Sequence, residues 1–304
     1  MEPERVMHAI VVERPRVAAQ FADDDAFTWG LRATAVDASG ATGRGIRVAV
    51  LDTGLDAEHP DLAGRSITAR SFVAGTPARD RHGHGTHVTG TACGSAAPPT
   101  GRRYGVAAEA EIFAGKVLDD GGAGTDASIL AGIDWAITNG CSIISMSLGA
   151  DIREVSTAYE TVGRRALAAG ALIVAAAGNN ASRALGNRGF VGVPANSPSI
   201  MAVAAVDADL AIADFSAAGS SVAGGQIDVA GPGVDVYSSW PLPRRTNTIS
   251  GTSMATPHVA GIAALWAQAS GTRAQALWDG VVQAARSLEL PASDVGAGLV
   301  QAPD

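Results

Sequence analysis

Five short runs of aliphatic and β-branched residues recur along the chain, at 46–51, 111–117, 142–148, 171–176 and 200–206. A strand with one face in water alternates polar and apolar residues, whereas a continuously apolar run marks a strand buried on both faces, as in a parallel sheet covered by helices. The segments between the runs have helical spacing. Between 117 and 142, Thr125 and Asp126 offer N-cap oxygens, Ile129, Ile133 and Ile137 recur at four-residue intervals, and Asn139-Gly140 supplies a stop. This is a strand–helix–strand crossover, so the chain is predicted to be α/β with a mostly parallel sheet. In such sheets the reacting groups gather in loops at the carboxyl ends of the strands.

Composition sets the outer limits. Of 304 residues, 47% are hydrophobic, enough for a large core, and no low-complexity tract or charge block interrupts the middle, so one main domain is expected. The net charge is −8 and the basic residues are dispersed, which argues against nucleic acid as a partner. The longest near-apolar stretch, 166–178, is broken by Gly170 and is shorter than the roughly 20 residues a membrane helix requires, so no membrane span is expected. The first residues lack the basic-then-apolar pattern of a secretory leader. The chain as it stands therefore reads as cytoplasmic, or as secreted if a leader and pro-segment have been removed. Cys93 and Cys141 form no CxxC pair and read as small buried thiols.

Four polar residues sit where a core would not require them. Asp52 closes the first run and precedes Thr53-Gly54; alone it would be a turn residue. His84 lies in Asp80-Arg-His-Gly-His-Gly-Thr-His87, where His82, His84 and His87 raise the alternative of a metal site. No HExxH pattern or Cys/Glu set completes that shell, and one histidine leading a helix suits a general base better. Ser253 stands before the helical stretch 262–268; it could be an N-cap, but Pro257 and His258 and the small residues around it go beyond what a cap needs. At a helix N-terminus a serine gains from the dipole as negative charge develops on its substrate. Asn179 follows the run 171–176, as a turn residue or as an amide donor to an oxyanion.

The order Asp52, His84, Asn179, Ser253 resembles the subtilisin family of serine peptidases. The likeness extends through Asp52-Thr-Gly54, His59-Pro-Asp-Leu62, His84-Gly-Thr-His-Val-Thr-Gly90, Ser145-Met-Ser-Leu-Gly149, Ala176-Ala-Gly-Asn179, Gly251-Thr-Ser-Met-Ala-Thr-Pro-His-Val-Ala-Gly261 and Gly296-Ala-Gly-Leu-Val300. It implies a three-layer fold, a mostly parallel twisted sheet with helices on both faces, and a serine endopeptidase that needs no cofactor for catalysis. In that reading Ser253 is the nucleophile, His84 its base, Asp52 the orienting acid and Asn179 the oxyanion donor, while His87 and His258 are structural. Gly122, Ala123 and Gly124 form one edge segment for an extended peptide or protein substrate, and Ser147, Leu148 and Gly149 the other. Residues 122–127 also fit a GxGxxA dinucleotide pattern, but no acidic residue lies about 20 positions on to hold a ribose. Ala176, Gly178 and Gly192 leave an apolar slot for the residue before the cut. Asn180 is neutral where an acid would favour basic side chains, and the Val193–Pro194 bond is expected to be cis.

Departures from the family pattern are also visible. Asp126 stands where many relatives carry an aromatic that lids a more distant subsite. Segment 94–104 lacks the Asn-rich loop that completes a tight calcium site around the aspartate at the position of Asp61. A weaker structural calcium or sodium site could use the Pro198 and Ile200 carbonyls with the Asp228 carboxylate. Residues 1–20 form an N-terminal extension before a peptidase domain at 21–304; the extension is a tail or docked edge strand, or a segment that blocks the cleft through Arg14-Pro15-Arg16. Three other functions compete: a pseudo-protease scaffold, which would lack a triad member; a processing peptidase dedicated to one precursor; and an α/β-hydrolase esterase, disfavoured because Gly251-Thr-Ser253-Met-Ala is not GxSxG. The sequence says nothing of oligomeric state.

Overall fold

The computed structural model describes residues 5–9, 20–99 and 101–304. Its centre is a seven-stranded sheet, in the order β10 (Val229–Pro232), β9 (Met201–Val206), β8 (Leu172–Ala176), β6 (Ile143–Met146), β2 (Arg47–Asp52), β4 (Glu111–Lys116) and β3 (Ile67–Ser71), with every pairing parallel. All five expected strands are present. One is shorter than expected: run 142–148 divides at Ser147 into β6 and a separate β7 (Leu148–Gly149). The chain leaves the parallel sheet there, and β7 pairs antiparallel with β1 (Val6–Ala9).

Because side chains alternate across a strand, each strand feeds two cores. Val48, Val50, Leu172 and Val174 face the helices α2 (His84–Cys93), α5 (Thr252–Ser270) and α6 (Ala274–Gln283). Ala49, Leu51, Ile173 and Ala175 face α3 (Asp126–Thr138) and α4 (Thr157–Ala168). The result is the three-layer arrangement the family resemblance implies. Helix α3 begins as its residues dictate, with Thr125 and Ser128 forming a reciprocal capping box, and it ends at Asn139 with Gly140 at φ +66°. Helix α1 (Trp29–Ala33) and α7 (Ala292–Val295) are single turns.

Two smaller sheets flank the site. Strand β5 (Ala123–Thr125), β1 and β7 form a three-stranded antiparallel sheet with β1 in the middle. Strands β11 (Val236–Trp240) and β12 (Arg245–Ile249) form a hairpin against α2, where Ser238 and Ser239 donate to the carbonyls of His87 and Thr86 at 2.9 Å each. Arg14-Pro15-Arg16, considered above as a cleft-blocking segment, lies outside the described residues.

Candidate active site

Asp52 ends β2, His84 begins α2, Asn179 lies just past β8 and Ser253 is in the first turn of α5, so the four converge at the carboxyl edge of the sheet. His84 Nδ1 is 2.8 Å from Asp52 Oδ1 and 3.0 Å from Oδ2, and both side chains are buried. A carboxylate on Nδ1 puts the ring proton there and leaves Nε2 as the acceptor. That Nε2 is buried and has no hydrogen-bond partner.

The placement of His84 rests on a residue that sequence reasoning passed over. Asp80 Oδ1 accepts from Thr53 Oγ1 and from the His82 and Gly83 backbone N–H groups, and Oδ2 accepts from Thr86 N and Oγ1, all within 3.0 Å. One buried carboxylate thus caps α2 and ties it to the residue after Asp52, where the helix dipole favours negative charge. The available signal was an acid four residues ahead of a helix-leading histidine. Gly85 completes the contact: a Cβ there would lie 2.2 Å from the Gly54 carbonyl oxygen, so only glycine lets α2 approach so closely.

Proline inside α5 has a comparable role. Pro257 has no N–H to give the Ser253 carbonyl four residues earlier. That carbonyl instead accepts from Ser147 Oγ at 2.7 Å, and Ser253 Oγ donates to the Ser147 carbonyl at 2.9 Å. The two serines clasp one another, and this contact coincides with the break between β6 and β7. The Ser253 hydroxyl is turned to that carbonyl and not to His84 Nε2; where a serine and a histidine act as nucleophile and base, their contact is commonly loose without substrate. Asn179 Oδ1 accepts from Thr252 N at 3.0 Å and Thr252 Oγ1 at 2.8 Å, which leaves Nδ2 buried and unpartnered.

The residues expected to bind substrate also take definite positions. Gly122, Ala123 and Gly124 run into and along β5, and Ser147, Leu148 and Gly149 run into and along β7, flanking a slot one strand wide. Ala176 ends β8, Gly178 follows at φ +121°, and a Cβ on Gly192 would lie 2.3 Å from the Ala150 carbonyl oxygen. The Val193–Pro194 peptide is cis, as expected.

A model of the subtilase family matches residues 43–297. The chain belongs to the subtilase family. It is 42% identical to Subtilisin DY of Bacillus licheniformis over 236 residues, 77% of this chain and 81% of that protein. It is likewise 42% identical to Subtilisin E of Bacillus subtilis (strain 168) over 258 residues, 84% of this chain and 64% of that protein, so it spans less than two thirds of the latter's length. A "Thermostable alkaline protease" of Halalkalibacterium halodurans is 46% identical over 227 residues, 74% of this chain and 58% of that protein. A subtilase of this kind is a serine endopeptidase acting on peptides or proteins, with no cofactor needed for catalysis. None of these names points to a single dedicated precursor.

The other histidines of this subtilase are held differently. His87 Nε2 meets the Val236 carbonyl at 3.0 Å, and burial pushes its pKa down to about 3; His258 Nδ1 meets the Met254 carbonyl at 2.8 Å and is pushed down to about 4 for the same reason. Among the described residues no three His, Cys, Asp or Glu side chains are grouped to hold a metal. His82, His84 and His87 do not converge on one point of coordination.

At Asp61 the residues do not fit a calcium ion: its carboxylate accepts from Tyr104 Oη at 2.5 Å, inside a pocket where both side chains are buried. Asp228 differs. Its Oδ2 accepts from Ala202 N at 2.7 Å, and burial pushes its pKa up to about 6. Pro198 and Ile200 lie in the turn leading to β9. Beside the expected pocket stands a residue the sequence did not reveal: Asn180 Nδ2 donates to Asp151 Oδ1 at 2.8 Å, so an exposed acid adjoins the neutral position. Among the described residues no helix is long and apolar enough to cross a membrane.

Proposed function

We propose that this subtilase cleaves extended polypeptides through an acyl-enzyme on Ser253. The observation that carries the reading is that two buried groups near the start of the serine-bearing helix α5, His84 Nε2 and Asn179 Nδ2, have no hydrogen-bond partner. His84 Nε2 takes the Ser253 proton as Oγ attacks the peptide carbonyl, and Asp52 holds the ring and stabilises its cation. Asn179 Nδ2 and the Ser253 N–H, one of the first-turn donors that α5 leaves without an internal acceptor, receive the oxyanion. The imidazolium returns its proton to the leaving amine; water, deprotonated in turn by His84, then releases the acid and regenerates Ser253.

Residues 21–304 form the peptidase domain in this reading, and residues 1–20 an extension whose described strand, Val6–Ala9, competes with substrate for the slot between β5 and β7. Ala176, Gly178 and Gly192 take an apolar side chain before the cut. A hard cation held by Pro198, Ile200 and Asp228 would be structural and remote from the reaction.

The test joins labelling to kinetics. A serine-directed phosphonylating reagent should add to Ser253 alone, and peptides with Phe or Leu before the cut should give a higher kcat/KM than Lys or Glu. Turnover should fall by about a millionfold in Ser253→Ala, a magnitude carried over from subtilisin itself. It should fall by about a hundredfold to a thousandfold in Asn179→Ala, again on subtilisin's scale. An adduct on another residue, or wild-type turnover in Ser253→Ala, would overturn the mechanism. A best rate for Lys or Glu would overturn the pocket.

A further inference from the structure

Strand β1 lies in the slot with its side chains alternating as a bound peptide's would: Val6 and His8 are exposed, and Met7 is fully buried in the cluster that includes Ile129, Leu148 and Tyr159. Its register is fixed by Val6 opposite Thr125, Met7 opposite Gly124, His8 opposite Gly149 and Ala9 opposite Leu148. A substrate in this register presents its next residue to Ser147, whose carbonyl accepts from the Ser253 hydroxyl. On the proposed mechanism that residue precedes the cut, which sets Met7 at the fourth position before the bond and Arg5 at the sixth.

Polar groups gather around Arg5. Asp126 Oδ2 accepts from Arg5 N at 3.0 Å and Arg5 Nη1 at 3.4 Å, while Nη1 also donates to Ser156 Oγ at 3.0 Å. Asp126 N donates back to the Arg5 carbonyl at 3.3 Å. The fully buried Tyr159 donates its hydroxyl to Asp126 Oδ1 at 3.0 Å and holds the carboxylate in place from behind. The Arg5 and Asp126 side chains are only 11% and 13% exposed, so the pair is shielded from the solvent that makes surface ion pairs weak. Four contacts converge on one residue of an extended strand, two to its backbone and two to its guanidinium.

We propose that Asp126, with Ser156 and Tyr159, is a specificity site for arginine at the sixth residue before the cut, and that Arg5 is its occupant within the chain. The inference rests on the peptidase reading above. Arginine suits the site because its long side chain brings Nη1 to both the carboxylate and the hydroxyl; lysine supplies the same charge on a shorter side chain. A glutamate there would face Asp126 directly.

The experiment uses the full chain carrying Arg5→Ala, which empties the pocket. Its substrates are a series of peptides with Phe before the cut, Met at the fourth position and Arg, Lys, Ala or Glu at the sixth. Arginine should exceed alanine by about tenfold in kcat/KM, corresponding to about 1.4 kcal/mol, with lysine between them and glutamate lowest. In Arg5→Ala/Asp126→Asn the spread should collapse to within about twofold. Because Asp126→Asn also loosens the docked strand, the ratio between peptides is the readout, not the absolute rate. Equal rates for Arg and Ala while Asp126 is intact would overturn the proposal, as would a preference that survives Asp126→Asn. Failure to cut any peptide would instead count against the peptidase reading.

Discussion

His84, His87 and His258 are all buried, and what separates them is the acceptor each ring faces. His84 faces the Asp52 carboxylate, which would stabilise the imidazolium of the proposed mechanism; His87 and His258 face backbone carbonyls, which compensate a buried cation only weakly. Those two rings therefore stay neutral in the fold and must gain protons once it opens. Their pKa values, about 3 and about 4 in the folded chain against about 6.5 in the unfolded one, make the unfolded state bind more protons across that interval. Their stabilisation is complete above about pH 6.5 and is lost as pH falls toward 4, a loss on the order of a few kcal/mol from each ring. Asp228, raised to about 6, works in the opposite sense between about pH 4 and 6, but one carboxyl stands against two imidazoles. The thermal midpoint of the Ser253→Ala chain, used to prevent self-digestion, should thus fall steadily from pH 7 to pH 4. A flat profile would mean that the two rings are not buried as neutral groups.

At the scale of elements, the strands were legible because burial on both faces writes itself as an unbroken apolar run, and α3 was legible because its cap, stripe and stop are local. Asp52, His84, Asn179 and Ser253 stood out in the sequence as motifs, but the contacts that hold them did not. Asp80 to Thr86 is local yet looks like any helix cap, while Ser147 to Ser253 spans 106 positions with no pattern linking them. Tyr104 and Asp61 show the same limit. Their sequence neighbourhood reveals only that a calcium loop is absent, whereas the fold puts a phenol against the carboxylate, with the Tyr104 ring 5.9 Å from that of Tyr237 on β11. Tyr104→Phe removes a hydrogen bond to a charged acceptor and should destabilise the chain by about 1.5–3 kcal/mol. The loss should be the same with calcium and with a chelator. A loss that calcium reverses would mean that Asp61 can still hold the ion.

In the molecule taken together, β1 joins parts of the chain more than a hundred positions away, Ala123–Thr125 and Leu148–Gly149, and no local signal in Val6–Ala9 announces the pairing. Met7→Asp would force a carboxylate into the apolar cluster and release the strand. If β1 fills the slot about nine-tenths of the time, kcat/KM for a short apolar peptide should rise about tenfold; an unchanged rate would mean that the strand does not compete. A last consequence follows from Lys116, the single lysine among these 304 residues. It ends β4 opposite Asp52, fully buried, with Nζ donating to the Thr53 carbonyl at 2.6 Å and to Asp120 at 2.8 Å. A lysine-specific endoproteinase therefore has one bond to cut in an inactive Ser253→Ala chain, and it can reach that bond only when the strand beside Asp52 unzips. Two fragments, residues 1–116 and 117–304, would register each opening of the seven-stranded sheet as a single irreversible event, with no label attached and no residue changed near the lysine.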